Sequence, residues 1–250
     1  MTRRTLLFLL AFASLAVGCA GRSVPARGRA QGGAVREVLL FPLNVVVPMP
    51  TGLEPGAPRV EEAVRSYLES QGRRVQTLPP RDAQAAWLAA AEALKAEVGD
   101  AQMSFEGAAR LLARELARER RFDALVLPWL ALRPAKVHGR VVSWDGVSRT
   151  LRVANPSGRS LGFLGDFQAQ AAAPSLQVVV FSAEGETIFA GVGGLDLIHS
   201  LAIQGDPPKV DAVPLPRSEV FSDLSSLQEG IGIAFDPFLP RAAAREAGSP

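Results

Sequence analysis

An α/β (α+β) fold is predicted, with helices packed on a mixed β-sheet and antiparallel hairpins in the C-terminal half. Three observations lead there. Glu37–Val47 (EVLLFPLNVVV) and Phe122–Leu132 (FDALVLPWLAL) are nearly continuous apolar runs, the composition of strands buried on both faces. Between them the apolar residues recur every three or four positions, the spacing of amphipathic helices. Beyond them, Asp145-Gly146 and Glu184-Gly185 each separate two strand-like runs, as hairpin turns do.

Taken in order, the first strand covers Glu37–Val47, and Pro48, Pro50, Gly52, Pro55 and Gly56 make a loop. Pro58 suits the opening of a helix, with Glu61 and Glu62 in its first turn and Val60, Val64, Tyr67 and Leu68 as its apolar stripe. Gly72 stops it, and Arg74–Leu78 reads as a short second strand. Asp82 can cap a helix with Trp87, Ala91, Leu94 and Val98 on one face; Ser104 can cap another with Phe105, Ala109, Leu112 and Leu116. On the latter, Arg110, Arg114 and Arg118 are interleaved with Glu106, Glu115 and Glu119, which describes a self-paired solvated face better than a docking ridge. Pro128 places an edge or a bulge in the strand Phe122–Leu132.

From Val137 the pattern alternates, with Val137, Val141 and Ser143 on one side and His138, Arg140, Val142 and Trp144 on the other; Ser148–Ala154 returns antiparallel after Asp145-Gly146. Asn155–Gly158 is a turn, and residues 159–174 support neither period. Leu176–Ala183 and Glu186–Gly191 form the second hairpin. Pro207, Pro208, Pro214 and Pro216 mark an irregular link, and Ser218 can start a last helix with Val220, Leu224, Leu227, Ile231 and Phe235 as its stripe. The expected organisation is therefore a leader over 1–18, a tether over 19–35, one α/β domain over 36–240 and a disordered tail over 241–250.

The leader is the most specific stretch of the chain. Arg3-Arg4 followed by Leu6–Cys19 (LLFLLAFASLAVGC) has the cationic start, short apolar run and small residue of a secretory signal peptide, and the run is too short to span a bilayer. Its end, Ala16-Val17-Gly18-Cys19, resembles the lipobox of bacterial lipoproteins, with Ala16 where Leu is commoner. That resemblance implies that Cys19 becomes the acylated (palmitate-bearing) first residue of the mature chain. Ala20 behind it, instead of an acid, implies sorting to the periplasmic face of the outer membrane. Removing Arg3 and Arg4 leaves 25 basic against 25 acidic residues, so a nucleic-acid partner has no electrostatic footprint. Cys19 is the single cysteine, which leaves no disulfide and no thiolate metal site.

The remaining pattern resembles periplasmic lipoprotein domains related to the curli secretion channel lipoprotein, the lipoprotein activators of penicillin-binding proteins and the amino-terminal domain of the Tol translocation component. The residues behind the comparison are VLLFPLNV with Pro42 and Asn44, AARLLARELARERRFDALVL, and VVVFSAEGETIFAGVGG. Phe122 before Asp123, and Pro128-Trp129 after it, depart from that group's pattern. The resemblance implies a binding or assembly component, and no catalytic residue carries over.

The residues themselves offer little chemistry. His138 and His199 lie far apart and in no HExxH pair, so no metal site is expected. Ser157 in NPSG is a turn residue and no GxSxG elbow exists. Gly191-Val192-Gly193-Gly194 before Asp196 lacks the spacing of a nucleotide loop and reads as a strand-end bulge. Glu184 and Glu186 flank a turn glycine and face water, while Trp87, Trp129 and Trp144 are read as packing residues. The expectation is a non-catalytic envelope lipoprotein without a cofactor. It would be anchored to the membrane by a lipid on Cys19, and its domain would bind or help assemble another cell-envelope component. The alternatives are an oligomeric subunit of an outer-membrane secretion or transport complex, built through a sheet edge or the 137–154 hairpin, and a hydrolase with an unrecognised site.

Overall fold

The computed structural model describes residues 33–154, 167–204 and 209–239. Among them run β1 (Glu37–Leu40), α1 (Ala57–Ser70), β2 (Arg74–Thr77), α2 (Pro80–Val98), α3 (Phe105–Glu119), β3 (Ala124–His138), β4 (Val141–Trp144), β5 (Val147–Thr150), β6 (Val153–Ala154), β7 (Gln168–Ser182), β8 (Thr187–Gly194), β9 (His199–Gln204), β10 (Lys209–Pro214) and α4 (Leu224–Phe235). The predicted α/β class and mixed sheet are what the chain forms. β2, β1 and β3 are parallel, and β7, β8, β4 and β5 extend the same sheet antiparallel. A second, three-stranded sheet has the order β10-β9-β6.

β3 and β7 are the spine, paired through fifteen consecutive positions from Ala124↔Ser182 to His138↔Gln168. Residues alternate across the sheet. Ala124, Val126 and Leu130 therefore join Val60, Val64 and Leu68 of α1 and Leu227, Ile231 and Phe235 of α4 on one face. Leu125 and Leu127 join Leu112 and Leu116 of α3 on the other. The far end of the spine carries a third cluster, in which Ala135 and Val137 meet Val142, Trp144 and Val147.

β1 stops at Leu40, well short of Val47, because Asn44 turns the chain out of the extended region with φ 56°. Asn44 then continues the ladder by its side chain. Its Oδ1 accepts from Leu130 N–H at 2.8 Å, and its Nδ2 donates to Leu130 O at 3.1 Å. The same device explains Pro128. The carbonyl of Pro128 accepts from Asn44 N, so its missing N–H also faces the side where β1 has ended. No bulge forms there: the β3–β7 ladder runs straight past Pro128↔Val178.

Several other boundaries move for local reasons. α2 begins at Pro80 behind Pro79 and Asp82 only sits in its first turn; Trp87, Ala91, Leu94 and Val98 stay half-buried, because the fully buried positions of this helix are Ala83 and Ala90. Ser104 does cap α3, accepting from Gly107 N at 3.0 Å. A turn at Gly139-Arg140 splits the predicted strand 137–144 and resets its phase, so Val137, Val142 and Trp144 are buried while Val141 is exposed. The Asp145-Gly146 turn forms as expected, with φ 36° and 85°.

The alanine run at 171–173 belongs to β7, whereas residues 159–166 lie outside the described residues. The proline-rich link contains β10, whose Pro214 is tolerated at the end of an edge strand; Pro207 and Pro208 lie outside the described residues. α4 starts at Leu224, capped by Asp223 instead of Ser218, and Leu224 itself is 62% exposed.

Gly191-Val192-Gly193-Gly194 is regular strand, not a bulge; the one irregularity in that hairpin lies at Val180/Phe181. Its glycines serve helix packing. A Cβ on Gly193 would stand 2.0 Å from Gly230 O, one on Gly191 2.1 Å from Ala234 O, and one on Gly230 2.1 Å from Gly194 O. Backbone meets backbone at each point, so no side-chain rotation can relieve a larger residue. Gly193→Val should lower unfolding free energy by about 2 kcal/mol or more in urea denaturation, whereas Gly33→Ala, which meets open space, should leave it within about 0.5 kcal/mol.

Candidate functional site

Two regions gather charged side chains from distant parts of the chain. The first is the edge formed by the starts of β1, β2 and β3, where the described chain begins at Gly33 and Val35 is already buried in the core. That burial moves the domain boundary one residue into the predicted tether. Asp123 ties this edge together, its Oδ2 accepting from the backbone N–H groups of Arg36 at 2.7 Å and Glu37 at 2.8 Å. The Glu37 carboxylate pairs with Arg74, and Gln76 donates to the Arg121 carbonyl at 3.1 Å. Around these contacts opens a depression of about 550 Å³ lined by Arg36, Arg74, Arg120, Arg121, Phe122 and Ala183 among others. Next to it, beyond Asp123, a second depression of about 360 Å³ carries Glu184 and Glu186.

The second region joins β5, the segment after β8 and the start of α4. Arg149, whose side chain is only 12% exposed, donates to Leu195 O at 3.1 Å and Ser226 O at 3.2 Å, and pairs with Glu229 at 2.7 Å. Asp196 lies close by and is 7% exposed. Its Oδ1 accepts from Leu197 N–H at 2.8 Å, while Oδ2 is buried without a hydrogen-bond partner among the described residues. Burial therefore raises its carboxyl above the ordinary range; the Leu197 N–H and Arg152 offset part of the rise, and the charge on Asp223 adds to it. Asp223 moves the other way. Its carboxylate accepts from Ser226 Oγ, Ser226 N and Ser225 N at the start of α4, and these bonds hold its pKa low.

A third depression, of about 500 Å³, lies at the carboxyl ends of β1 and β2, the usual ligand position of a parallel sheet. It is lined by Glu61, Glu62 and Arg65. Glu62 and Arg65 pair with each other at 2.5 Å, and burial raises the Glu61 carboxyl.

The residues singled out from the sequence fall apart in space. Cys19 and Ser157 lie outside the described residues. His138 is exposed at the end of β3 in the main sheet, and His199 begins β9 in the small one. Glu184 and Glu186 are exposed beside their turn, as predicted. Arg110 and Arg118 pair within α3 to Glu106 and Glu115, whereas Arg114 donates to the Glu184 carbonyl at 2.8 Å and pins the hairpin turn to the helix. Trp144 is buried, its Nε1 donating to Pro174 O at 3.0 Å. Trp87 and Trp129 each pack against Phe105 with ring centroids 5.7 Å apart, Trp87 tilted at 41° and Trp129 edge-on at 62°. Arg120, Arg121 and Arg149 were not singled out; Arg36 stands out in the sequence only as part of a locally basic tail with Arg22, Arg27 and Arg29, read as a solvated linker, and Asp196 only as the acid after the glycine run. Their signal exists only when strand starts or sheet ends separated by scores of residues are brought side by side. Among the described residues no three metal-ligating side chains cluster, and no helix is long and apolar enough to cross a membrane.

Compared with known protein families and with curated proteins, the chain matches none. Its reading rests on its own residues.

The Asp196 geometry fixes a sign. An acid whose folded pKa is raised binds its proton more tightly in the folded state. Its contribution is present below the unfolded value of about 3.9 and is lost as pH rises through the folded value. Asp196→Asn removes that loss, so its stability relative to wild type should improve as pH rises above about 4 and level off once pH has passed the folded value, in urea denaturation. A pH-independent difference would show that Asp196 does not titrate on unfolding.

Proposed function

We propose that this chain is a non-catalytic envelope lipoprotein, anchored through Cys19 at the periplasmic face of the outer membrane, whose α/β domain binds or helps assemble another cell-envelope component. The observation that carries the reading is Leu6–Cys19 behind Arg3-Arg4, a signal-like run that closes on the lipobox-like AVGC. Binding, in place of turnover, is supported by how charged side chains that join distant segments are used. Arg149 and Asp123 spend their hydrogen bonds on backbone groups of neighbouring elements, as structural ties do.

One observation favours the oligomeric alternative. Among the described residues β8 pairs with β7 alone, and its eight residues TIFAGVGG hold no charge and no proline, two of the usual protections of an edge strand. β4 and β5 weigh against the 137–154 segment as a membrane-inserted hairpin. Each has four residues, and a spanning strand needs roughly 9–11.

In cells, Cys19→Ala should abolish incorporation of labelled palmitate and move the protein out of the membrane fraction, or leave it as unprocessed precursor. A variant that stays membrane-bound and is trimmed like the wild type would overturn the anchor. Chemical cross-linking of the lipidated chain in membranes decides between the two assemblies: a ladder of homo-oligomers that Ala190→Lys on β8 abolishes supports edge-to-edge assembly. A single heterologous product supports the binding reading.

A further inference from the structure

The geometry points to the arginine-lined depression at the leading edge of the sheet as a docking surface for phosphate-bearing headgroups of an anionic lipid membrane, which would set the domain's orientation on the bilayer. This rests on the lipid-anchored reading of Cys19.

The depression brings together arginines from three separate places. Arg36 precedes β1, Arg74 opens β2, and Arg120 and Arg121 follow α3. The acids that face it are spent internally. Glu37 is held by Arg74, and Asp123 Oδ2 already accepts two backbone N–H groups. Arg118, in the last turn of α3, is paired with Glu115 at 2.6 Å. The guanidinium groups of Arg36, Arg120 and Arg121 have no acidic partner within salt-bridge distance among the described residues, and all three residues are exposed. Stabilising the negative end of α3 accounts for basic residues just after that helix, but not for Arg36 at the start of a strand. A guanidinium offers a planar fork that fits phosphate oxygens, so three uncommitted ones around one depression form a phosphate-compatible surface.

Position selects the lipid source. Sixteen residues separate Cys19 from Arg36 in the sequence, a length that reaches at most about 55 Å when fully extended. The tethered end is thus the end nearest the bilayer. Arg22, Arg27 and Arg29 lie between Cys19 and Arg36 in the sequence, so the connecting segment is basic as well. The neighbouring depression with Glu184 and Glu186 has the opposite sign, and the contrast would tilt the arginine side toward an anionic surface. Screening over about 8 Å at physiological ionic strength confines the effect to residues at that surface.

The test uses the mature chain, residues 19–250, carrying Cys19→Ala, so that neither lipid nor leader plays a part, in co-sedimentation with vesicles of phosphatidylcholine alone or with 30% phosphatidylglycerol. Each arginine near an anionic surface contributes on the order of fivefold to partitioning. Against anionic vesicles, adding R36Q/R120Q/R121Q should weaken binding at least tenfold. The control triple R81Q/R140Q/R217Q removes the same charge from exposed arginines elsewhere and should change binding less than twofold. The double R120Q/R121Q, which leaves the strand start intact, should lose at least fivefold and decides the matter if the triple does not fold. Equal losses in both triples, equal binding to neutral vesicles, or displacement by millimolar inorganic phosphate at constant ionic strength would overturn the lipid-docking surface. The mass of the wild-type amino-terminal peptide decides separately whether Cys19 is acylated, so failure of the anchor and failure of the surface are distinguishable.

Discussion

The β3–β7 ladder is the constraint on which the rest of the structure depends. Fifteen unbroken pairs make a ribbon roughly 50 Å long by strand rise, and every hydrophobic cluster takes residues from it. Because successive side chains point to opposite faces, the run ALVLPWLAL supplies two cores at once, one under α1 and α4 and one under α3. A proline in the middle of such a strand would ordinarily cost a ladder bond. Here its imide faces the flank that β1 has vacated, and the Asn44 amide restores the pairing two residues later, at Leu130.

Two kinds of contact then close the fold around the ribbon. On one side, glycine against glycine lets α4 lie on β8 closer than any side chain would permit. On the other, polar side chains reach across chain distance to cap backbone. Trp144 reaches Pro174, Arg149 reaches Leu195 and Ser226, and Ser175 Oγ donates to Asp145 at 2.7 Å while Arg133 pairs with the same carboxylate at 3.2 Å. These bonds join the hairpin end of the sheet to α4 and explain why so many of the charged groups are structural. Asp196 is the exception, with one buried oxygen left without a partner among the described residues.

The proposed function places the remaining charges. On the proposed anchoring, the leading edge of the sheet is where the chain would arrive from Cys19, and it carries a basic depression and an acidic one side by side. An anchored domain with such an edge would present the opposite pole, with the carboxyl ends of β1 and β2, to whatever partner lies beyond the membrane surface.

The sequence by itself determined the fold class, α1, the Ser104-capped α3, the Asp145-Gly146 and Glu184-Gly185 turns, and the Arg110–Glu106 and Arg118–Glu115 pairs on α3. Each is written in local spacing, capping or turn chemistry, which acts within a few residues. The lipobox-like leader is equally local, though it lies outside the described residues. Tertiary structure decided what depends on contact between distant segments. It ended β1 early at Leu40, ahead of the turn at Asn44, turned an expected bulge into a glycine seat for α4, drew β10 out of a proline-rich link, and moved the start of α4 to Leu224 behind its Asp223 cap. The arginine depression belongs to the same category. Arg36, Arg74, Arg120 and Arg121 are unremarkable along the chain, and only the parallel alignment of β1, β2 and β3 brings them to one edge. Hydrophobic period and turn chemistry are short-range signals, whereas a charge becomes a surface only when the sheet supplies its neighbours.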